Sequence, residues 1–138
     1  MASAQSVSCN IFKEGGTGYV EWDWLCTHLG AATQNSADGA GNAIKVVGTL
    51  THVTFTPSAT VAPSASYDVV VVDEAGLDVL VGLGANLSAS ATTTVTITLT
   101  DSGASTLHSG VRTVAEVLQL QVTNAGDAKR GKVRIYFT

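Results

Sequence analysis

The chain has 138 residues, of which 13% are charged, with 11 acidic against 7 basic side chains for a formal net charge of −4. A chain of that size forms one domain that buries roughly two thirds of its unfolded surface, and its charge offers no general attraction to nucleic-acid phosphates or anionic lipid. Proline is confined to Pro57 and Pro63, and threonine and valine are frequent; their branched β-carbons favour pleated strands, so the expected fold class is all-β.

In chain order, residues 1–12 read as a small-residue N-terminal arm, flexible unless a partner orders it, although Val7 to Phe12 also has the composition of a short strand. Lys13-Glu14-Gly15-Gly16 is a turn. Thr17 to Leu25 alternates with period two, Val20, Trp22 and Trp24 on one face and Tyr19, Glu21 and Asp23 on the other. Ala31 to Asn42 has a loop composition. Ile44 to Thr56 is the longest strand, and its alternation slips: Ile44, Val46 and Leu50 share one parity, Val53 and Phe55 the other. Such a slip predicts a bulge or a bend near Thr51 and His52. Pro57 to Ser66 is a second loop.

Tyr67 to Leu87, YDVVVVDEAGLDVLVGLGANL, is the least ordinary stretch. Tyr67, Val69 and Val71 point to one side and Val70 and Val72 to the other, which predicts a strand covered on both faces, by a second sheet and by a loop or neighbouring subunit. Asp73-Glu74-Ala75-Gly76 is a turn; Leu77, Val79 and Val81 resume a short apolar strand; Gly82, Gly84 and Asn86 end it. Thr94 to Thr100 follows with Val95, Ile97 and Leu99 inward, then Val114 to Val122 as one strand, then the polar turn Asn124 to Gly131. Lys132 to Thr138 closes the chain with Val133, Ile135 and Phe137 inward. About eight antiparallel strands without a helix indicate a single β-sandwich or jelly roll over 1–138.

Little in the chain looks catalytic. Nucleophile elbow, HExxH, Walker and dinucleotide motifs are missing, and His28, His52 and His108 have no metal-ligand spacing. Cys9 and Cys26 form no CxxC and read as small buried hydrophobes rather than a disulfide. No cofactor is implied. Asp73, Glu74 and Asp78 are the best metal candidate, for calcium, although their spacing is not that of an EF-hand. Trp22 and Trp24 are candidates for interaction, as core or subunit-contact residues first and as an aromatic platform for a glycan second. Val70 and Val72 are candidates for self-contact in a homo-oligomer. Lys129, Arg130, Lys132 and Arg134 read as a solvated face, not a nucleic-acid site. Residues 1–10 lack a basic segment followed by an apolar core, and no apolar run approaches the roughly 20 residues that cross a bilayer; neither secretion nor a membrane partner is expected, and assembly in the cytoplasm is.

The run from Tyr67 to Leu87, with LQLQVTNAGDAKRGKVRIYF from Leu118 to Phe137, resembles small structural proteins encoded among the head genes of tailed bacteriophages. The shared pattern maps to Tyr67, Asp68, Asp73, Glu74, Gly76, Asp78, Gly82, Gly84, Ala85, Asn86, Arg134, Ile135 and Tyr136, in the C-terminal half. The resemblance implies a virion protein, a capsid decoration or cement protein that sits as a homotrimer on the outer shell and bridges major capsid protein subunits without enzymatic activity; composition, not the resemblance, makes residues 1–12 the candidate tether. The alternative is a tail or host-attachment module in which Trp22 and Trp24 contact glycan.

Overall fold

The computed structural model describes residues 5–27, 30–97, 99–100, 109–110 and 112–138. The chain is all-β, and no helix occurs among the described residues. Its strands are β1 (Ser6–Glu14), β2 (Thr17–Leu25), β3 (Ala32–Asn35), β4 (Val46–Pro57), β5 (Asp68–Val72), β6 (Thr93–Thr96), β7 (Leu99–Thr100), β8 (Ser109–Gly110), β9 (Arg112–Glu116), β10 (Gln119–Thr123) and β11 (Arg130–Phe137). Six form one antiparallel sheet in the order β1-β2-β11-β4-β6, with β9 also on β4; three form a second, β3-β10-β5; β7 and β8 make a short ribbon. One apolar core, with Trp22, Val53, Phe55 and Ile135 from the first sheet and Val71, Leu120 and Val122 from the second, joins the sheets in a sandwich-like arrangement. That coarser description, two antiparallel sheets around one core, is what the strand order supports.

The large sheet starts from a tight hairpin. Glu14 pairs with Thr17, and the two residues between them, Gly15 and Gly16, have φ of 60° and 87°. Two successive positive φ values match the right-handed twist of the strands, and glycine reaches them without steric cost. β2 occupies Thr17–Leu25 as predicted, and β1 pairs with it along all 9 of its residues. Residues 6–12 are therefore a sheet strand and not part of a flexible arm: the period-two placement of Val7, Cys9 and Ile11 against Trp24, Trp22 and Val20 outweighs the small polar composition.

The predicted slip in β4 is a bulge. Tyr136 lies opposite His52 and Phe137 opposite Leu50, which leaves Thr51 as the extra residue. Its hydroxyl donates to the Tyr136 carbonyl at 3.2 Å and its own carbonyl accepts from the Ile97 amide at 3.0 Å. The extra residue lets Val46 and Leu50 point inward before the bulge and Val53 and Phe55 after it, although their spacing changes parity. Ile44 lies before the strand and is partly exposed.

The small sheet departs more from expectation. Ala32–Asn35, read as loop, is strand β3, an edge paired to β10. Val114 to Val122 is two strands: β9 pairs β4 in the large sheet, and β10 pairs β3 and β5 in the small one. The chain changes sheets at Val117 and Leu118, and the buried Ser36 secures the crossing. Its amide donates to the Leu118 carbonyl at 2.6 Å, its hydroxyl oxygen accepts from the Leu118 amide at 3.1 Å, and the hydroxyl donates to the Ile44 carbonyl at 2.6 Å. A single serine thus satisfies the backbone groups that the interrupted ladder leaves over.

Residues 77–87 are turns rather than a second strand. Val79 and Leu80 are buried whereas Leu77 and Val81 are exposed. Asp78 accounts for this: its carboxylate accepts from the amides of Val71 (3.3 Å), Leu80 (2.9 Å) and Gly82 (2.9 Å), coiling the chain beside β5. Val79 donates to the Val71 carbonyl and Val69 to the Gly84 carbonyl, both at 2.7 Å, so this coil covers the open edge of β5.

Candidate interaction surface

The residues singled out by sequence fall in three places. Trp22 and Trp24 are fully buried. The Trp22 indole donates to the Asn35 carbonyl at 3.3 Å, tying the large sheet to the small one, and Trp24 packs against Tyr67 with centroids 5.7 Å apart. Their parity is the inward one and both belong to the core, the first of the readings above; the subunit-contact and glycan-platform readings do not fit side chains enclosed within one chain. Val70 and Val72 are half-buried on the outer face of the small sheet, level with Gln121 and Gln119. Within one chain only the Val69 and Val71 face of β5 is fully covered.

Asp73, Glu74 and Asp78 occupy one run of turns, but two of them already serve the backbone. Asp73 accepts from the Ala75 amide at 2.9 Å and the Leu77 amide at 3.0 Å; Asp78 serves the three amides above; Glu74 is exposed. No group of three or more His, Cys, Asp or Glu among the described residues is placed to hold a metal ion. Asp78→Ala is expected to lower stability by about 2 kcal/mol, the weight of charge-assisted bonds lost at a turn. Calcium or a chelator is expected to leave the melting curve of the unaltered chain where it is. A calcium-dependent rise in Tm that Asp78→Ala abolishes would assign the carboxylates to a metal instead.

Cys9 and Cys26 are free and buried. Burial pushes each thiol up to about 11, and the Cys9 sulfur accepts from the Ala37 amide at 3.3 Å. Neither is a nucleophile at neutral pH. His28 and His108 lie outside the described residues.

The surface that sequence reasoning missed is the outer face of the large sheet. Register sets Phe12 beside Tyr19, Tyr19 beside Tyr136, and Tyr136 beside His52, a row across four strands. Phe12 and Tyr19 stack at 5.5 Å and 23°, and Tyr136 and His52 at 4.1 Å and 16°. Arg134, from the next row, lays its guanidinium 4.1 Å over the Tyr19 ring. It also donates through Nε to Glu21 Oε2 at 2.7 Å and through Nη1 to the Tyr136 hydroxyl at 3.3 Å, and Nη2 lies 2.6 Å from Glu21 Oε2. The bond to Tyr136, and then the one to Glu21, hold Arg134 charged beyond its ordinary range.

The arrangement is a fixed patch with a distinct chemistry. Phe12 stacks on Tyr19 and Tyr136 on His52, Tyr19 and Tyr136 meet at a tilt, and Arg134 lies over the Tyr19 ring, so the rings hold one another in place. A sugar platform needs open ring faces; a protein contact needs ordered aromatic and arginine side chains that lose little entropy on docking. The outward parity of Tyr19 and Tyr136 was readable in each strand alone. That β2 and β11 are neighbours, and that Glu21 meets Arg134 across 113 positions, was not. No family model, no curated protein and no solved structure matches the chain.

Proposed function

We propose that the chain is a virion structural protein of a tailed bacteriophage, a capsid decoration or cement protein that binds the outer shell as a trimer and acts without catalysis. The observation that carries this reading is the ordered patch of Phe12, Tyr19, Tyr136, His52 and Arg134 on the outer face of the large sheet. It supplies a protein-binding surface on a scaffold whose remaining chemistry is structural. The phage-like residues support the same reading through what they do: Asp73 and Asp78 hold turns and Gly84 abuts β5. In this account the large-sheet face meets the major capsid protein, and the uncharged strip of Val70, Val72, Gln119 and Gln121 packs against the other two copies. Many weak sites around a shell then act together against internal pressure. Host attachment through glycan loses its proposed platform, since Trp22 and Trp24 are enclosed.

The test is binding to undecorated shells together with the mass in solution. The purified chain is expected at three times its 14.1 kDa mass. Tyr136→Ala with Arg134→Ala is expected to lower shell affinity at least tenfold, an interface hot-spot loss of about 2 kcal/mol, while the trimer persists. A strict monomer at high concentration, or shell binding unchanged by the double substitution, would overturn the assignment.

A further inference from the structure

We propose that the depression at one end of the large-sheet face receives the carboxylate of an acidic side chain from a protein partner. It rests on the reading that this face is a protein contact, and it adds the chemistry that the partner must carry. The depression is lined by Asp23, Thr56, Ser58, Thr60, Arg130 and Lys132. β11 is paired on both sides here: Lys132 lies between Asp23 on β2 and Thr56 on β4, and the Arg130 carbonyl accepts from the Ser58 amide at 3.1 Å. The two side chains therefore rise from a fixed strand on the same side, from α-carbons about 7 Å apart, the repeat of alternate residues. Both are exposed, and neither makes an ion pair among the described residues, in contrast to Arg134 one step along the same face.

The hydroxyls complete the recognition. Ser58 Oγ already accepts from the amides of Thr60 (3.3 Å) and Val61 (3.1 Å), so its hydrogen is directed to an outside acceptor or to Thr60 Oγ1. Thr56 stands beside Lys132 in the ladder. An oxyanion between Arg130 and Lys132 gains two charge-assisted donors and neighbouring hydroxyls. Asp23 limits the charge the site can balance: two cations against one carboxylate leave a single net positive charge, which neutralises a monoanion and leaves the second charge of a phosphate uncompensated beside the Asp23 carboxylate. The planar fork of Arg130 matches a carboxylate.

The experiment follows backbone amide shifts of the full chain at low ionic strength during titration with an acetylated, amidated hexaglutamate peptide. Hexaglutamine and inorganic phosphate serve as parallel arms. Saturable shifts confined to residues 56–60, 130–132 and 23 are expected with hexaglutamate, none with hexaglutamine, and weaker ones with phosphate. Arg130→Gln and Lys132→Gln are each expected to weaken hexaglutamate binding up to about fivefold, as exposed charges do, without moving Tm. Asp23→Asn is expected to strengthen phosphate more than hexaglutamate. Equal response to hexaglutamine, shifts centred elsewhere, or binding unchanged in the doubly substituted chain would overturn the proposal. Because no shell is present, its failure is separate from failure of the decoration reading.

Discussion

Gly84→Ala is expected to destabilise the domain by about 3 kcal/mol or more, whereas Gly82→Ala, two residues away, is expected to cost about 1 kcal/mol. A β-carbon on Gly84 would come within 2.1 Å of the Val69 carbonyl oxygen and 3.0 Å of its carbon. Both are backbone atoms of β5, so no side-chain rotation relieves the contact. The amide that donates to the Gly84 carbonyl belongs to the same Val69, so separating the two segments also breaks the bond that covers the edge of β5. Gly82 differs in kind: its φ is +80° but nothing lies within 4 Å of its missing side chain. Only the conformational cost of a left-handed residue applies there. Denaturant unfolding of the two variants separates close approach from backbone freedom as the reason for each glycine, and equal losses would contradict this reading.

Trp22→Ala is expected to cost about 3–5 kcal/mol, the range for truncating a buried aromatic. Against a total stability of roughly 5–15 kcal/mol for a domain, that leaves a marginal fold. Trp22 sits opposite Cys9 on one side and Val133 on the other, midway along a strand paired on both sides, and its indole bond to Asn35 links the two layers. Trp22→Phe keeps part of the packing and loses the bond, so it is expected to fall between. If the alanine variant melted normally and lost glycan binding alone, the tryptophan would belong to a surface and the core described here would be wrong.

These cases show what was legible in the sequence and what was not. Strands whose alternation runs along one face, Thr17–Leu25 and the segment ending at Phe137, could be read because burial on one side leaves a period of two in the residues themselves. The bulge at Thr51 was legible for the same reason, as a break in that period. Ala32–Asn35 was not, because a short edge strand with only Ala32 fully buried has no apolar pattern to show. The split at Leu118 was hidden by continuous parity: Val114, Leu118, Leu120 and Val122 are all inward, and only their partners reveal that they face inward from different sheets. Asp78 looked like a metal ligand because its type, not its hydrogen bonds, is written in the chain. The aromatic row depends on pairings between positions 12, 19, 52 and 136, and pairing over such distances is a property of topology.

The same topology gives the patch its stiffness. Tyr19 and Tyr136 stand on two central strands that are paired on both sides, and Arg134 is fixed by a carboxylate and two rings. Docking on such a surface orders few new rotamers, which lowers the entropic cost of a contact.

A density map of virions assembled with this chain tests the decoration assignment most directly. If the proposal holds, three copies stand around local threefold positions on the outer shell, with the Tyr19, Tyr136 and Arg134 face against the major capsid protein. Density confined to the tail, or shell-bound copies with that face turned to solvent, would contradict it.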